Sequence, residues 1–163
     1  MDWVAYRNKL IEWDAQSLDD RVRRAKRIVP QTTGLGTPDL HWSYSTQLTD
    51  LFASGKFLPA IVYAGIIVEI ILRDQLGKAG HPPREKAGLG QLVDDAGKYL
   101  PAIDATDKAV LRELASARNT IAHAVTGDGG SFAYELHTFM EDDAFRAMAI
   151  ARELGQHYYG VAD

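Results

Sequence analysis

The segment KFLPAIVYAGIIVEIILRDQL, residues 56–76, constrains the fold more than any other part of the chain. It is apolar nearly all round. Its β-branched residues (Ile61, Val62, Ile66, Ile67, Val68, Ile70 and Ile71) would also suit a strand. Length decides between the two, because about twenty residues without a turn signal exceed an ordinary strand and fit a buried helix. Its longest uncharged run, FLPAIVYAGIIV, has 12 residues, too short to cross a bilayer. A soluble protein is expected.

The remaining segments read as helices separated by punctuation. Trp3, Tyr6, Leu10, Trp13, Leu18, Val22, Ala25 and Val29 recur at helical spacing, predicting an amphipathic helix over residues 2–29 that the pattern allows to break once. PQTTGLGTP, residues 30–38, has no period. A helix over residues 44–53 follows, with Gly55 as its stop. Residues 77–88 form a loop, and residues 89–100 a short helix ended by Pro101. Asp104 or Thr106 caps a helix reaching about Val125, TGDGGS ends it, and a last helix covers roughly residues 136–159. The fold class is all-α, a bundle of five or six helices.

At 163 residues the chain is long enough for one domain with a real core. A net charge of −4 argues against bulk coating of nucleic acid while leaving room for a local basic patch. Cysteine is absent, which excludes disulfide and thiol chemistry and is compatible with a reducing compartment. MDWVAYRNKL lacks the basic start and apolar stretch of a signal peptide, so a cytoplasmic location is expected.

One residue departs from this pattern. In DKAVLRELASARNTIAHAV, taking about 100° per residue, Val110, Leu114, Ile121 and Val125 cluster within roughly 60° of arc, and Leu111, Ala117 and Ala122 flank them to widen the apolar arc. Arg118 falls inside that apolar arc, close to Leu111, whereas Asn119 and His123 lie on the polar side beside Arg112 and Ser116. An uncompensated buried charge costs several kcal/mol, so Arg118 needs an anionic partner, or lines a cleft or a subunit interface. Glu69, flanked by aliphatic residues in IIVEIIL, has the same problem with the opposite sign. It can pair with Arg118, or locally with Arg73 at i, i+4. The plain alternative for the motif is a structural ion pair beside an unrelated surface histidine.

Arg118-Asn119-Thr120-Ile121-Ala122-His123 forms an R-x4-H motif with a polar residue directly after the arginine. It resembles the signature of the HEPN superfamily of α-helical proteins. SGKFLPAIVYAGIIVEIILRDQLG resembles that family's long second core helix, and GLGQLVDDA and the motif helix follow in the expected order. The resemblance divides the chain into an N-terminal helical extension and loop, residues 1–42, and an HEPN-like core, residues 43–163.

The resemblance implies a metal-independent endoribonuclease without cofactor, acting in toxin–antitoxin or antiviral defence systems. Arg118, His123 and Asn119 would be catalytic and Glu69 would support Arg118. RNA carries its own nucleophile, the 2′-OH, beside a phosphate. A histidine titrating near pH 6.5 can take that proton, and the planar fork of arginine can hold two phosphate oxygens as charge accumulates. The expected products are 2′,3′-cyclic phosphate and 5′-hydroxyl ends. Arg118 and His123 diverge by about 140° on a regular helix, so either the helix distorts or a second copy completes the site; the resemblance implies a homodimer. A toxin branch of the family carries a tyrosine two residues after the histidine, where its nucleotidyltransferase antitoxin modifies it. Val125 stands there, a departure that speaks against regulation by that route. The alternative within the same family is a binding or regulatory module that has lost activity and acts through a protein or nucleotide partner.

RVRRAKR, residues 21–27, places five cations in seven residues. Arg21, Arg23, Arg24, Lys26 and Arg27 are either an RNA-backbone contact or a solvated face balanced by Asp14, Asp19 and Asp20. His137 and Glu141, with Asp142 and Asp143, lack the spacing of a metal site, and no metal is expected. GLG and GDGG match no nucleotide-binding glycine pattern.

Overall fold

The computed structural model of the protein describes residues 3–28, 39–126 and 141–159. Among these residues every element is helical: α1 (Trp3–Ile28), α2 (Asp39–Ala53), α3 (Phe57–Lys78), α4 (Leu89–Tyr99), α5 (Ala105–Thr126) and α6 (Glu141–Tyr159). The all-α reading holds. The amphipathic helix at the N-terminus is unbroken. The boundary expected at residues 42/43 falls inside α2, so the extension does not end where the core was to begin. Residues 2, 29 and 136–140 of the expected helices lie outside the described residues.

The apolar segment is the centre of the bundle. α3 touches α2, α4, α5 and α6, which is why it is apolar on all sides: Ala60, Ile61, Ala64, Ile67, Val68, Ile71, Leu72 and Leu76 are buried on successive faces. Pro59 sits in its first turn, where a missing N–H leaves no intrahelical bond unmade. The helix runs through the loop signal at Gly77 to Lys78, two residues beyond Leu76. α2 ends as expected at Gly55, whose φ of 73° allows the Lys56 N–H to bond the Leu51 carbonyl at 2.9 Å.

α5 begins with a reciprocal cap. Asp104 Oδ1 accepts the N–H groups of Thr106 (2.7 Å) and Asp107 (2.8 Å), and the Asp104 N–H donates to Asp107 Oδ2 at 3.1 Å. Asp104, rather than Thr106, is therefore the cap. Leu111, Leu114, Ala115 and Ile121 face inward. Beside that face Arg112 bonds Asp94 of α4 through Nε (3.1 Å) and Nη2, and Lys108 adds an ion pair at 3.2 Å. These cations hold the Asp94 carboxyl below its usual range, Arg112 foremost.

α6 runs alongside α3, with Ile71 against Gly155 and Tyr159 donating to Asp74. Burial, reinforced by Asp74, pushes the Tyr159 hydroxyl up to about 12. α5 runs the opposite way, its Glu113 paired with Arg146 near the start of α6 at 3.5 Å. The C-terminal end of α1 and the N-terminal ends of α3 and α6 consequently share one end of the bundle, toward which α5 also runs.

Candidate functional site

Arg118 reaches α3 because Gly65 leaves space for it. A Cβ at position 65 would stand 2.8 Å from Arg118 Cγ and 3.3 Å from its Cβ, so the arginine stem crosses α3 at a point that admits no larger residue without movement. A glycine inside a helix costs about 1 kcal/mol relative to alanine, and here the close crossing explains it. Nothing in the sequence pattern singled out Gly65.

The guanidinium arrives beside Glu69, Nη2 standing 3.9 Å from Glu69 Oε2. Glu69 also takes its local partner: Arg73 Nε and Nη2 donate to Oε1 at 3.1 and 3.0 Å. Both pairings left open by the sequence therefore occur, with different strengths. The Arg73 contact is a two-pronged, charge-assisted hydrogen bond; the Arg118 contact lies beyond hydrogen-bond reach and is a partly exposed ion pair, worth about 0–1 kcal/mol. Arg73 further donates to the carbonyls of Arg84 (3.2 Å) and Ala87 (2.5 Å), fastening the loop between α3 and α4 to the site.

Arg118 retains donor capacity. Nη1 donates to Asn119 Oδ1 at 3.1 Å, while Nε is buried with no hydrogen-bond partner among the described residues. The side chain keeps 29 % of its exposure, so the charge is half-buried with one face open. Arg118 therefore faces α3 of its own chain, and a subunit seam is not needed to explain a charge on this side of α5. His123 stands on the same unbroken helix five residues on, and its side chain lies outside the described residues. A shallow groove of about 100 Å³ between α5 and α6, lined in part by Leu114, Ala117 and Arg146, opens beside the motif. A second cleft of about 200 Å³ lies toward the start of α5, against Asp107, Val110 and His157, and includes no motif residue.

The basic run is divided by the fold. Arg24 is 8 % exposed: Nε donates to the Ala53 carbonyl at 3.0 Å, the guanidinium packs 5.6 Å from the Phe57 ring centroid, and Gly55 gives it room. It neutralises the C-terminal end of α2, and this burial removes it from any RNA-contacting surface. Arg23 embraces Glu141 with two bonds of 2.6 Å, and Arg27 bonds Glu141 at 2.6 Å and Asp142 at 3.0 Å. Arg27 also stacks 4.3 Å over Phe145. The balancing carboxylates come mainly from α6, and among the described local acids Asp20 approaches Arg23, at 3.6 Å. Arg23 and then Arg27 hold the Glu141 carboxyl down at about 2. Arg21 and Lys26 remain exposed.

The acidic start of α6 is thus an anchor for α1. His137 lies outside the described residues, and no cluster of three metal-ligating side chains occurs among those described. Arg152, buried at 8 % exposure, escaped the sequence reading although it follows Met148 at i+4 on the inward face of α6. The logic that singled out Arg118 would have found it. Comparison of the chain with protein-family models, with curated proteins and with solved structures yields no match.

Proposed function

We propose that the protein is a metal-independent endoribonuclease of the HEPN type, homodimeric, serving a toxin–antitoxin or antiviral defence system. The observation that supports this reading is Arg118: a half-buried arginine held loosely by Glu69, with donors to spare and one open face, five residues before a histidine on one continuous helix. An arginine needed only as a structural ion pair would form hydrogen bonds with its carboxylate, as Arg73 does.

In the proposed reaction His123 takes the 2′-OH proton, and the oxygen attacks the adjacent phosphorus. The bond to the 5′-oxygen breaks, and that oxygen leaves with a proton from a histidinium. Arg118 holds the non-bridging oxygens as negative charge builds up, and Asn119, already bonded to Arg118, orients the fork. On an unbroken helix Arg118 and His123 point about 140° apart, so the histidine serving one phosphate comes from a second copy. Arg21 and Lys26, at the end of α1 toward which α5 runs, are available for the RNA backbone.

A binding module without activity is the second reading, favoured by one observation: among the described residues the carboxylate paired with Arg118 is Glu69 of the same chain. The test is cleavage of total cellular RNA in EDTA by the wild type, His123→Ala and Arg118→Ala, with the new ends identified. Cyclic-phosphate ends from the wild type alone support the enzyme. Folded wild type that retains RNA without cutting it supports the binding module. Cleavage surviving both substitutions places the activity elsewhere.

A further inference from the structure

α5 and α6 both pack on α3, and between the start of α5 and the end of α6 they leave the cleft of about 200 Å³. Its floor is apolar: Ile103, Leu111, Ile150 and Leu154 turn aliphatic surface toward it. Its rim is acidic. Asp107 stands on the α5 wall, Glu153 and His157 on the α6 wall. A concave apolar surface edged by a few polar groups is the usual form of a small-molecule site.

Charge and size specify the ligand. Among the described residues neither Asp107 nor Glu153 is paired with a cation, whereas Glu69, Asp94, Glu113 and Glu141 all are. The cations next to them in the chain are engaged elsewhere: Lys108 pairs with Asp94, and Arg152 is buried in the bundle. The charge of Asp107 is felt inside the protein as well. The Tyr158 hydroxyl is buried without a hydrogen-bond partner among the described residues, and burial, reinforced by the Asp107 carboxylate, raises its pKa. A metal ion would need the rim groups to converge, and no three ligating side chains do so among the described residues. An enclosed apolar cavity of about 150 Å³ holds benzene, so this cleft takes one ring with a short chain.

We propose that this cleft binds a small organic ammonium, an arylalkylamine the size of phenethylamine, with its ring on the aliphatic floor and its charged nitrogen at Asp107 and Glu153. The N–H donors of an ammonium then meet two carboxylates that no described side chain neutralises, and the ring covers the aliphatic surface that water now touches. The cleft shares no residue with the Arg118 motif. The proposal does not rest on the ribonuclease reading, and its test requires neither RNA nor activity.

Titration of the isotope-labelled chain with phenethylammonium, followed by backbone NMR, reads both the place and the affinity of binding. Phenethyl alcohol, the same body without charge, and hydrocinnamate, with the opposite charge, are the controls. Shifts gather at Val110, Leu111, Ile150 and Leu154. The ammonium binds about fivefold or more tightly than the alcohol, and added salt shrinks the difference. Asp107→Asn with Glu153→Gln brings the ammonium down to the alcohol and leaves the alcohol unchanged; asparagine at 107 keeps an oxygen for the Asp104 N–H. Val110→Phe fills the cleft and abolishes binding of both. Equal binding of ammonium and alcohol by the folded wild type overturns the proposal. So do a preference for hydrocinnamate, shifts confined to another surface, an ammonium preference that survives loss of both acids, or the absence of shifts at any soluble concentration of the amine.

Discussion

Arg118 lies across α3 at Gly65, and the two positions are energetically tied. Alanine at 65 relieves the helix-propensity cost of glycine, about 1 kcal/mol, but drives a Cβ to 2.8 Å from Arg118 Cγ. The sign of Gly65→Ala therefore depends on what stands at 118. In the Arg118→Ala background only the 3.3 Å approach to the Cβ of residue 118 remains, and the substitution stabilises the protein by up to about 1 kcal/mol. In the wild type it is neutral or destabilising, and the arginine is displaced from Glu69. Urea unfolding of the four members of this cycle measures the coupling; additive effects would show that the close approach carries no energy. Arg118 was legible in the sequence because its charge broke a periodic pattern. Gly65 was not, because a glycine in a helix carries no pattern and acquires meaning only when another helix crosses it.

Helix ends carry much of the polar organisation. Replacing Asp104 by alanine removes the two bonds its carboxylate accepts at the start of α5 and costs about 1 kcal/mol, measured as a fall in unfolding midpoint without loss of core packing. The anchor between α1 and α6 depends on pH. Glu141 has its pKa lowered to about 2 from an ordinary 4.5, so the folded state favours the ionised carboxylate. Its stabilisation is complete above pH 4.5 and lost as pH falls toward 2. Thermal unfolding across this range should show the midpoint dropping, and Glu141→Gln should lower stability at neutral pH while flattening the acid limb. An unchanged acid limb in the variant would mean that Glu141 is not the titrating group. The acidic start of α6 was visible as a sequence cluster. Its pairing with Arg23 and Arg27 spans more than a hundred residues of chain and depends on how the helices pack.

At the scale of the whole molecule, α3 acts as the axle. It contacts four other helices, so loss of its packing is felt throughout. Leu72, fully buried, should cost about 2–5 kcal/mol when cut to alanine. The heat-capacity trace should remain a single transition at a lower midpoint; two resolved transitions would show that the helices around α3 unfold independently.

By itself the sequence determined the helical class, the central helix, the turn at Gly55, a cap before α5 at Asp104 or Thr106, and the two charges that needed an explanation. Each rests on local chemistry or on periodicity along one helix, which residues carry wherever that helix is placed. Tertiary structure alone decided the rest. It divided Glu69 between Arg73 and Arg118, buried Arg24 against the end of α2, and turned Arg23 and Arg27 toward α6. A helical wheel shows which residues share a face. Which face meets a neighbour, and how closely, depends on the crossing of helices distant in the chain.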